Sequence, residues 1–302
     1  MGIIYGLLSS AAFGLIPLFS LPLLRGGISV QTALAYRFTI AALVLWLLLR
    51  LRGERFALRG IDVCKLAGLS ACYMLAVLFF FESFSYLPSG IAATIQFLYP
   101  VMVMLIMIAF FHERFSLRIG AAVLLAAVGV GLLSAGGPQT GAAAVSAAGV
   151  CLALLAGLTN GLYIIGIQVA RIPNINGLVM TFYVMAFGAV ISVGDGLARG
   201  TLQWIDTGPE VISAILLALV TAVFSNLTLI LAIKRIGSTL TSVLGVMEPL
   251  TAVGVGVLVF GEPFTAPLAG GVALIAGAVL LVMLGARARG RSGACADAGK
   301  TA

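Results

Sequence analysis

Three ionisable side chains lie inside long apolar stretches, where a charge needs a physical reason. They are Arg37, Glu82 and Glu248. An ionisable group at the centre of a bilayer costs about 2.5–3.5 kcal/mol, so each one indicates a partner, a watery cavity or a function. Glu248 directly precedes Pro249, which lacks an amide hydrogen and interrupts helical hydrogen bonding. We therefore predict that Glu248 lines a cavity; the alternative is a buried glutamate bonded to a neighbouring helix.

Glu82 shares a helix face with aromatic residues. Phe79 lies three residues before it and Tyr86 four residues after it, which places the carboxylate and both rings on one side of a helix. The pattern predicts that they face one space. The alternatives are that Glu82 reaches the outer membrane interface or pairs with Arg37, which we interpret as a structural residue.

Polar residues of other stretches could face the same space. Gln96 and Tyr99 lie three residues apart immediately before Pro100, which predicts a second helix break at a polar position. Asn160 and Tyr163 also share a helix face. A further stretch carries a stripe of hydroxyl groups, although such stripes commonly only link helices. Its members are Thr221, Ser225 and Thr228.

The sequence lacks the motifs of common enzymes and metal sites. It has no G-x-S-x-G, H-E-x-x-H or P-loop motif, and its single histidine, His112, lies beside Glu113 and Arg114 as expected of a solvated helix end. The four cysteines form no C-x-x-C pair. We therefore predict a protein that is not an enzyme and that holds neither a cofactor nor a metal.

The composition excludes a water-soluble domain. Of the 302 residues, 62% are hydrophobic and 9% are charged, whereas soluble domains have about 45–50% and about 25%. The net charge of +7 could suggest nucleic-acid binding. However, the basic residues are scattered among short connections, so we expect a lipid bilayer and not nucleic acid as the partner.

Charged residues, glycines and prolines divide the chain into ten apolar stretches, each about as long as the roughly 20 residues that span a bilayer. We therefore predict an all-α integral membrane protein with ten transmembrane helices. No cleavable signal peptide is recognisable, and a patch around Trp204 is interpreted as an interfacial loop. The stretches are 3–24, 32–50, 66–86, 90–111, 117–135, 146–169, 177–197, 210–233, 239–260 and 267–285.

The distribution of basic residues predicts the orientation. With the N-terminus in the cytoplasm, the inner connections and the tail contain 14 Lys and Arg residues and the outer connections contain 2. This bias satisfies the positive-inside rule, so we predict that both termini are cytoplasmic.

Self-comparison indicates a duplication. Residues 87–133 align with 236–282 without a gap, which makes Tyr99 the counterpart of Glu248, and a second alignment pairs helices 1 and 6. Each unit has five spans, and because five is odd the second copy enters the membrane from the opposite side. We predict repeats at 1–136 and 146–285 and a disordered cytoplasmic tail at 286–302. Inverted repeats are typical of alternating-access carriers, although duplication also produces scaffolds and membrane enzymes.

Particular segments carry a family resemblance. They are "SSAAFGLIPLF", "ALAYRFTIAALVL" and the two proline-to-glutamate segments that end in "HERFS" and "GEPFT". With these the chain resembles EamA-type carriers of the drug/metabolite transporter superfamily, which have ten helices in two inverted halves. It is most similar to the YddG-type exporters, which implies efflux of aromatic and other neutral amino acids across a bacterial inner membrane. His112 and Pro263 depart from the usual pattern, and Glu113 and Glu262 are structural by analogy.

The resemblance implies a site for an amino acid between the two halves. Asn160, Gln96 and helix-break backbone would bind the carboxylate, and Glu248 or Glu82 would bind the ammonium group. Aromatic rings would surround the side chain and assist the ammonium by cation–π contact. The implied substrate-binding residues are Phe13, Phe79, Glu82, Gln96, Tyr99, Asn160, Tyr163, Ser225, Thr228 and Glu248, with Pro100 and Pro249 as helix-break residues.

Other functions stay open at this point. Efflux of drugs, organic cations or other small metabolites is the main alternative, because the same acidic and apolar groups would suit it. A non-catalytic scaffold or a membrane enzyme is the alternative from a different class. The expected partners are a small-molecule substrate and lipid; we expect a monomer, with a homodimer as the alternative.

Overall fold

The computed structural model describes residues 1–54, 60–111, 117–136, 145–170 and 177–281, and within these ranges every regular element is a helix. Seven helical segments there are long and apolar enough to cross a membrane, and three shorter apolar helices accompany them. The predicted tail and the residues His112 and Glu113 lie outside the described ranges. The helices are α1 (Gly2–Gly14), α2 (Ile16–Arg25), α3 (Val30–Leu51), α4 (Gly60–Ser83), α5 (Ser89–Gln96), α6 (Tyr99–Phe111), α7 (Leu117–Gly136), α8 (Ala147–Ala170), α9 (Gly177–Arg199), α10 (Gly208–Ala218), α11 (Ser225–Leu244), α12 (Met247–Leu258) and α13 (Ala266–Leu281).

Several of the predicted stretches are interrupted helices. The first contains α1 and α2, with Pro17 in the first turn of α2, where a missing amide hydrogen costs little. The fourth contains α5 and α6. In the eighth, a π-helical segment, Leu219–Phe224, joins α10 to α11. The apolar span there ends at Ala232, close to the predicted end at residue 233, and helical hydrogen bonding continues beyond it to Leu244 because the basic segment that follows contains no proline.

The helices pack in pairs that correspond between the two halves of the chain. The helix α1 packs against α11 and α12, and α8 packs against α4, α5 and α6. Likewise α4 packs against α9 and α10 against α3, while α3 packs along α9 and α5 along α12. If each helix is replaced by its counterpart from the other half, every one of these contacts becomes a contact that the fold also contains.

Polar residues join two distant connections at one end of the bundle. Ser29, which caps α3, donates its hydroxyl to the Thr201 carbonyl at 2.8 Å. The Gln203 side chain accepts the Ser29 amide hydrogen at 2.7 Å and donates to the Gly27 carbonyl at 3.2 Å. These bonds tie the connection before α3 to the connection before α10, so the two parts of the chain are held at the same end.

Glu262 closes the same kind of link between α5 and the segment after α12. One carboxylate oxygen accepts the amide and the hydroxyl of Ser89, each at 2.7 Å, and the other accepts the Gly90 amide at 3.2 Å. The first amides of a helix have no intrahelical partner and carry partial positive charge, so a carboxylate satisfies both needs. The structural role expected of Glu262 is therefore that of a helix cap supplied by the other half of the chain.

This cap generates a stability prediction. Glu262→Gln removes the charge and one of the two acceptor oxygens, and we expect a loss of about 1–3 kcal/mol in the free energy of unfolding, measured by thermal or denaturant unfolding in detergent. Asp206→Asn, at an exposed acid of the connection before α10, is the matched control and should change stability by less than about 0.5 kcal/mol. Equal stability of Glu262→Gln and Asp206→Asn would show that the cap contributes nothing.

Candidate functional site

Two helix breaks lie at corresponding places in the two halves. Between α5 and α6 the chain is interrupted at residues 97–98, and between α11 and α12 at residues 245–246. Pro100 is the second residue of α6 and Pro249 the third of α12. A helix needs no amide hydrogen in its first turn, so each proline is compatible with the helix that it opens but not with continuation of the one before.

Each break is packed against a glycine from the other half. A Cβ atom on Gly14 of α1 would lie 2.5 Å from the Glu248 carbonyl oxygen and 2.7 Å from the Thr251 Cβ. In α8, a Cβ on Gly161 would lie 3.6 Å from the Tyr99 carbonyl oxygen and 3.2 Å from a methyl group of Val103. These contacts require the absence of a side chain at Gly14, and they bring both breaks against helices that cross between the halves.

Tyr99 and Glu248 lie at the two breaks, as the first residue of α6 and the second residue of α12. Both are half-buried. The Tyr99 ring contacts Phe97 with 5.9 Å between centroids. No hydrogen-bond donor from the described part of the chain reaches the Glu248 carboxylate. A half-buried carboxylate that receives no such hydrogen bond can bind a cationic group.

The α8 face adds polar and aromatic groups beside the first break. Gln96 lies against Gly157 of α8, and the Gln96 Oε1 atom is buried without a hydrogen-bond partner among the described residues. Asn160 is half-buried. The Tyr163 ring lies 5.0 Å from the ring of Tyr73 on α4. The structure therefore brings Gln96, Tyr99 and the α8 residues to one region.

The other predicted site residues are placed differently. Phe13 and Phe79 are half-buried and pack against the hydrophobic core. Glu82 is also half-buried. The alternative pairing of Glu82 with Arg37 is not formed among the described residues, since the Nε and Nη1 atoms of Arg37 have no partner there and Nη2 contacts the Thr221 carbonyl. Arg199, the last residue of α9, forms an ion pair with Asp195 at 2.8 Å.

The hydroxyl groups of the stripe donate hydrogen bonds within their own helix. Ser225 donates to the Thr221 carbonyl at 2.7 Å, and Thr228 donates to the Phe224 carbonyl at 2.8 Å. In apolar surroundings a hydroxyl is most simply satisfied by the carbonyl one turn earlier. The hydroxyl hydrogens of Ser225 and Thr228 are therefore used within the helix, and the expected binding of substrate by these residues stays a prediction.

Sequence reasoning missed Tyr73 and the π-helical segment. Tyr73 connects two parts of the interior, because its ring also lies 6.0 Å from Phe38 of α3. Its hydroxyl within an apolar stretch was the available signal. No spacing of residues marks the π-helical segment, since Leu219–Phe224 lies in a stretch that is apolar nearly all round, where a shift in helical periodicity leaves no trace in the hydropathy.

The packing at Gly14 can be tested by substitution. Gly14→Ala should force α1 away from the second break and lower the free energy of unfolding by about 1–3 kcal/mol, as overpacking of a tight interior does. Gly254→Ala is the matched control, because no atom lies within 4 Å of the position that its Cβ would take. Thermal unfolding of both variants in detergent checks the prediction, and similar midpoints for the two would contradict it.

Comparison with known proteins agrees with this architecture. The model of the EamA-like transporter family matches residues 1–135 and, a second time, residues 147–284. A solved structure, titled only as the crystal structure of a protein, is 18% identical with a TM-score of 0.62 and shows the same fold over 94% of this chain and 98% of its own. No functionally curated protein matches the chain. With family matches over both halves, this chain belongs to the EamA-like transporter family and is a multi-pass membrane transporter.

Proposed function

We propose that this transporter exports amino acids, both aromatic and other neutral ones, by alternating access from a site at the paired helix breaks. The observation that carries the proposal is the Glu248 carboxylate, which is half-buried at the second break and receives no hydrogen bond from a described residue. An ammonium group would neutralise this carboxylate, and aromatic rings would favour the cation further. Half-buried Tyr163 and Phe97, buried next to Tyr99, supply apolar surface for a side chain.

The site would lie between two inverted halves of five spans each, at 1–136 and 146–285. The correspondence of helix contacts on exchange of the halves supports this architecture, as do the two family matches. Inverted repeats provide two equivalent arrangements of the same contacts, with the site open to one side in each. The proposed carrier alternates between these arrangements as a monomer.

We also propose that the protein resides in a bacterial inner membrane with both termini in the cytoplasm. The orientation rule assigns five connections to the outside, and their described parts are hydrogen-bonded to one another. Residues 26–29 bond to residues 200–207, Tyr86 bonds to Ser146 at 3.2 Å, and Ser89 bonds to Glu262 at 2.7 Å. Such joining supports placing them on one side of the membrane. It also supports an arrangement that is closed on that side.

Efflux of organic cations is the second candidate. The same observation favours it, since a half-buried carboxylate that no described residue pairs with suits any apolar cation, including one without a carboxylate. The two candidates differ in whether the carboxylate of an amino acid contributes to recognition.

Counterflow in proteoliposomes tests the proposed substrate. Vesicles preloaded with unlabelled tryptophan, phenylalanine, threonine or methionine should accumulate the labelled amino acid. Glu248→Gln, which removes the counter-charge of the ammonium group, should reduce the initial rate about tenfold or more. Tyr99→Phe should have a smaller effect than Tyr99→Ala, because it keeps the ring.

Asp206→Asn serves as the control variant and should transport like the wild type. Accumulation of ethidium or methyl viologen, with no response to any amino acid from folded protein, would reject amino-acid export and select the second candidate.

Cysteine accessibility tests the proposed orientation. In a cysteine-free background that retains transport, Thr207→Cys should react with a membrane-impermeant maleimide in intact cells, because residue 207 is exposed in a connection assigned to the outside. Arg52→Cys, exposed in a connection assigned to the cytoplasm, should react only after the cells are opened. The reverse pattern would invert the orientation.

A further inference from the structure

A groove lies between α3 and α9 on the surface of the bundle. It has a volume of about 370 Å³, which is within the range of pockets that bind small molecules. Alanine side chains leave this space open, and larger apolar side chains border it. The alanines are Ala42, Ala186 and Ala189, and the bordering side chains are Leu43, Trp46 and Phe182. The groove therefore fits an apolar group.

The groove opens toward the lipid and not toward the paired helix breaks. Leu43 is 60% exposed, and Val190, next to Ala189, is 69% exposed. In a chain that spans a membrane, such exposed apolar side chains face the lipid tails. On the inner side α3 and α9 are in close contact, since a Cβ atom on Gly188 would lie 2.9 Å from the ring of the fully buried Phe38. This contact joins the two helices behind the groove.

The groove is confined to one half of the bilayer. The helices α3 and α9 run in opposite directions, since Gln31 of α3 packs against Gly196 of α9 and the groove residues lie toward the other end of each helix. On α3 these residues lie between the middle of the helix and its end at Leu51, and Phe182 lies in the second turn of α9. In the orientation proposed above, this half is the cytoplasmic leaflet, whose anionic lipids give its surface a negative potential.

Basic residues lie where the groove reaches the membrane surface. Arg50 is one helical turn beyond Trp46 on the same face of α3, and its guanidinium lies 5.6 Å from the Trp46 ring. Arg52, which ends this helix, is exposed. The sequence from residue 50 to residue 59 contains four arginines and one glutamate. Clusters of basic residues directly beyond a transmembrane helix attract anionic headgroups, and tryptophan is enriched at the same depth.

From these observations we infer that the groove binds an anionic phospholipid, with an acyl chain along the alanines and the phosphate at Arg50 and Arg52. The apolar groove suits the chain of any phospholipid, but the arginines favour a headgroup with net negative charge. Because α3 belongs to the first half of the chain and α9 to the second, the bound lipid would contact both halves. The inference does not depend on which substrate is transported.

A second copy of the chain suits this groove less well than a lipid does. Most homodimers are related by a two-fold axis and use the same surface patch on both subunits. A symmetric dimer centred on the groove would bring Arg50 and Arg52 of one copy toward the same arginines of the other. Like charges repel, whereas an anionic headgroup neutralises them.

Tryptophan fluorescence of the full chain in vesicles tests the inference. The chain contains two tryptophans, so Trp204→Phe, in an exposed connection, leaves Trp46 as the reporter at the groove. The probes are dioleoyl phosphatidylglycerol and dioleoyl phosphatidylcholine, each with brominated acyl chains that quench tryptophan on contact. Brominated phosphatidylglycerol should compete for the position beside Trp46 at least about threefold better than brominated phosphatidylcholine.

The arginine is tested by Arg50→Gln in the same background, which should bring the two lipids close to equal competition. Arg235→Gln is the matched control, because Arg235 is likewise exposed and lies 5.2 Å from an aromatic ring, that of Tyr5, but is not part of the groove. This control should keep the preference for phosphatidylglycerol.

The groove itself is tested by filling it. Native mass spectrometry of protein purified with an equimolar mixture of the two lipids should show one retained phosphatidylglycerol per chain. Ala186→Leu occupies the space of the acyl chain and should lower the retained fraction at least about threefold. Val190→Leu is the matched control, since Val190 is exposed on the same helix outside the groove, and it should retain lipid like the wild type.

The remaining outcomes overturn the inference. Equal quenching by both lipids, or a preference that Arg50→Gln leaves unchanged, would show that the arginine selects no anionic lipid. Retention by Ala186→Leu equal to that of the wild type would place the lipid elsewhere, and if this variant does not fold the quenching comparison decides. A lipid-free dimer whose Trp46 neither lipid quenches would assign the groove to a second copy. None of these results bears on amino-acid counterflow, so the proposed function stands or falls separately.

Discussion

The fold depends on packing two interrupted helices where no water can satisfy their free backbone groups. In the hydrocarbon region irregular backbone is tolerated only where protein or a polar cavity covers it. Here Gly14 covers the break at Glu248, and Gly161 covers the break at Tyr99. Each covering helix comes from the opposite half of the chain. The halves are therefore joined through the positions where substrate would bind, and relative motion of the halves must alter the site.

Two glutamates of the second half differ in how many hydrogen bonds the surrounding residues donate to their carboxylates. Glu262 accepts three hydrogen bonds from the start of α5, so its charge is fully used by the fold. Glu248 receives no hydrogen bond from the described residues, although it is half-buried at the second break. A satisfied carboxylate gains nothing from a ligand, whereas an unsatisfied one does. Hydropathy patterns alone do not distinguish the two, because both residues lie close to prolines in similar segments.

The features that the sequence predicts are those determined by residues close together in the chain. Apolar length locates the helices, and a proline marks each break, since the missing amide hydrogen acts within its own turn. The sequence does not predict the hydrogen-bond acceptors of Ser225 and Thr228, because a hydroxyl can donate to its own helix or to another group according to its neighbours. The approach of Tyr73 to Tyr163 depends on which helices meet. That contact is long-range and leaves no local pattern.

In the proposed carrier, the duplicated fold and the side chains that differ between its two halves have separate roles. Corresponding helix contacts in the two halves would give the proposed carrier the two arrangements that alternating access requires. Yet the counterpart of Glu248 is Tyr99, and the counterpart of Asn160 is Phe13. Two carboxylates at corresponding positions would repel each other. A single carboxylate would instead leave one negative charge for the ammonium group of the proposed substrate.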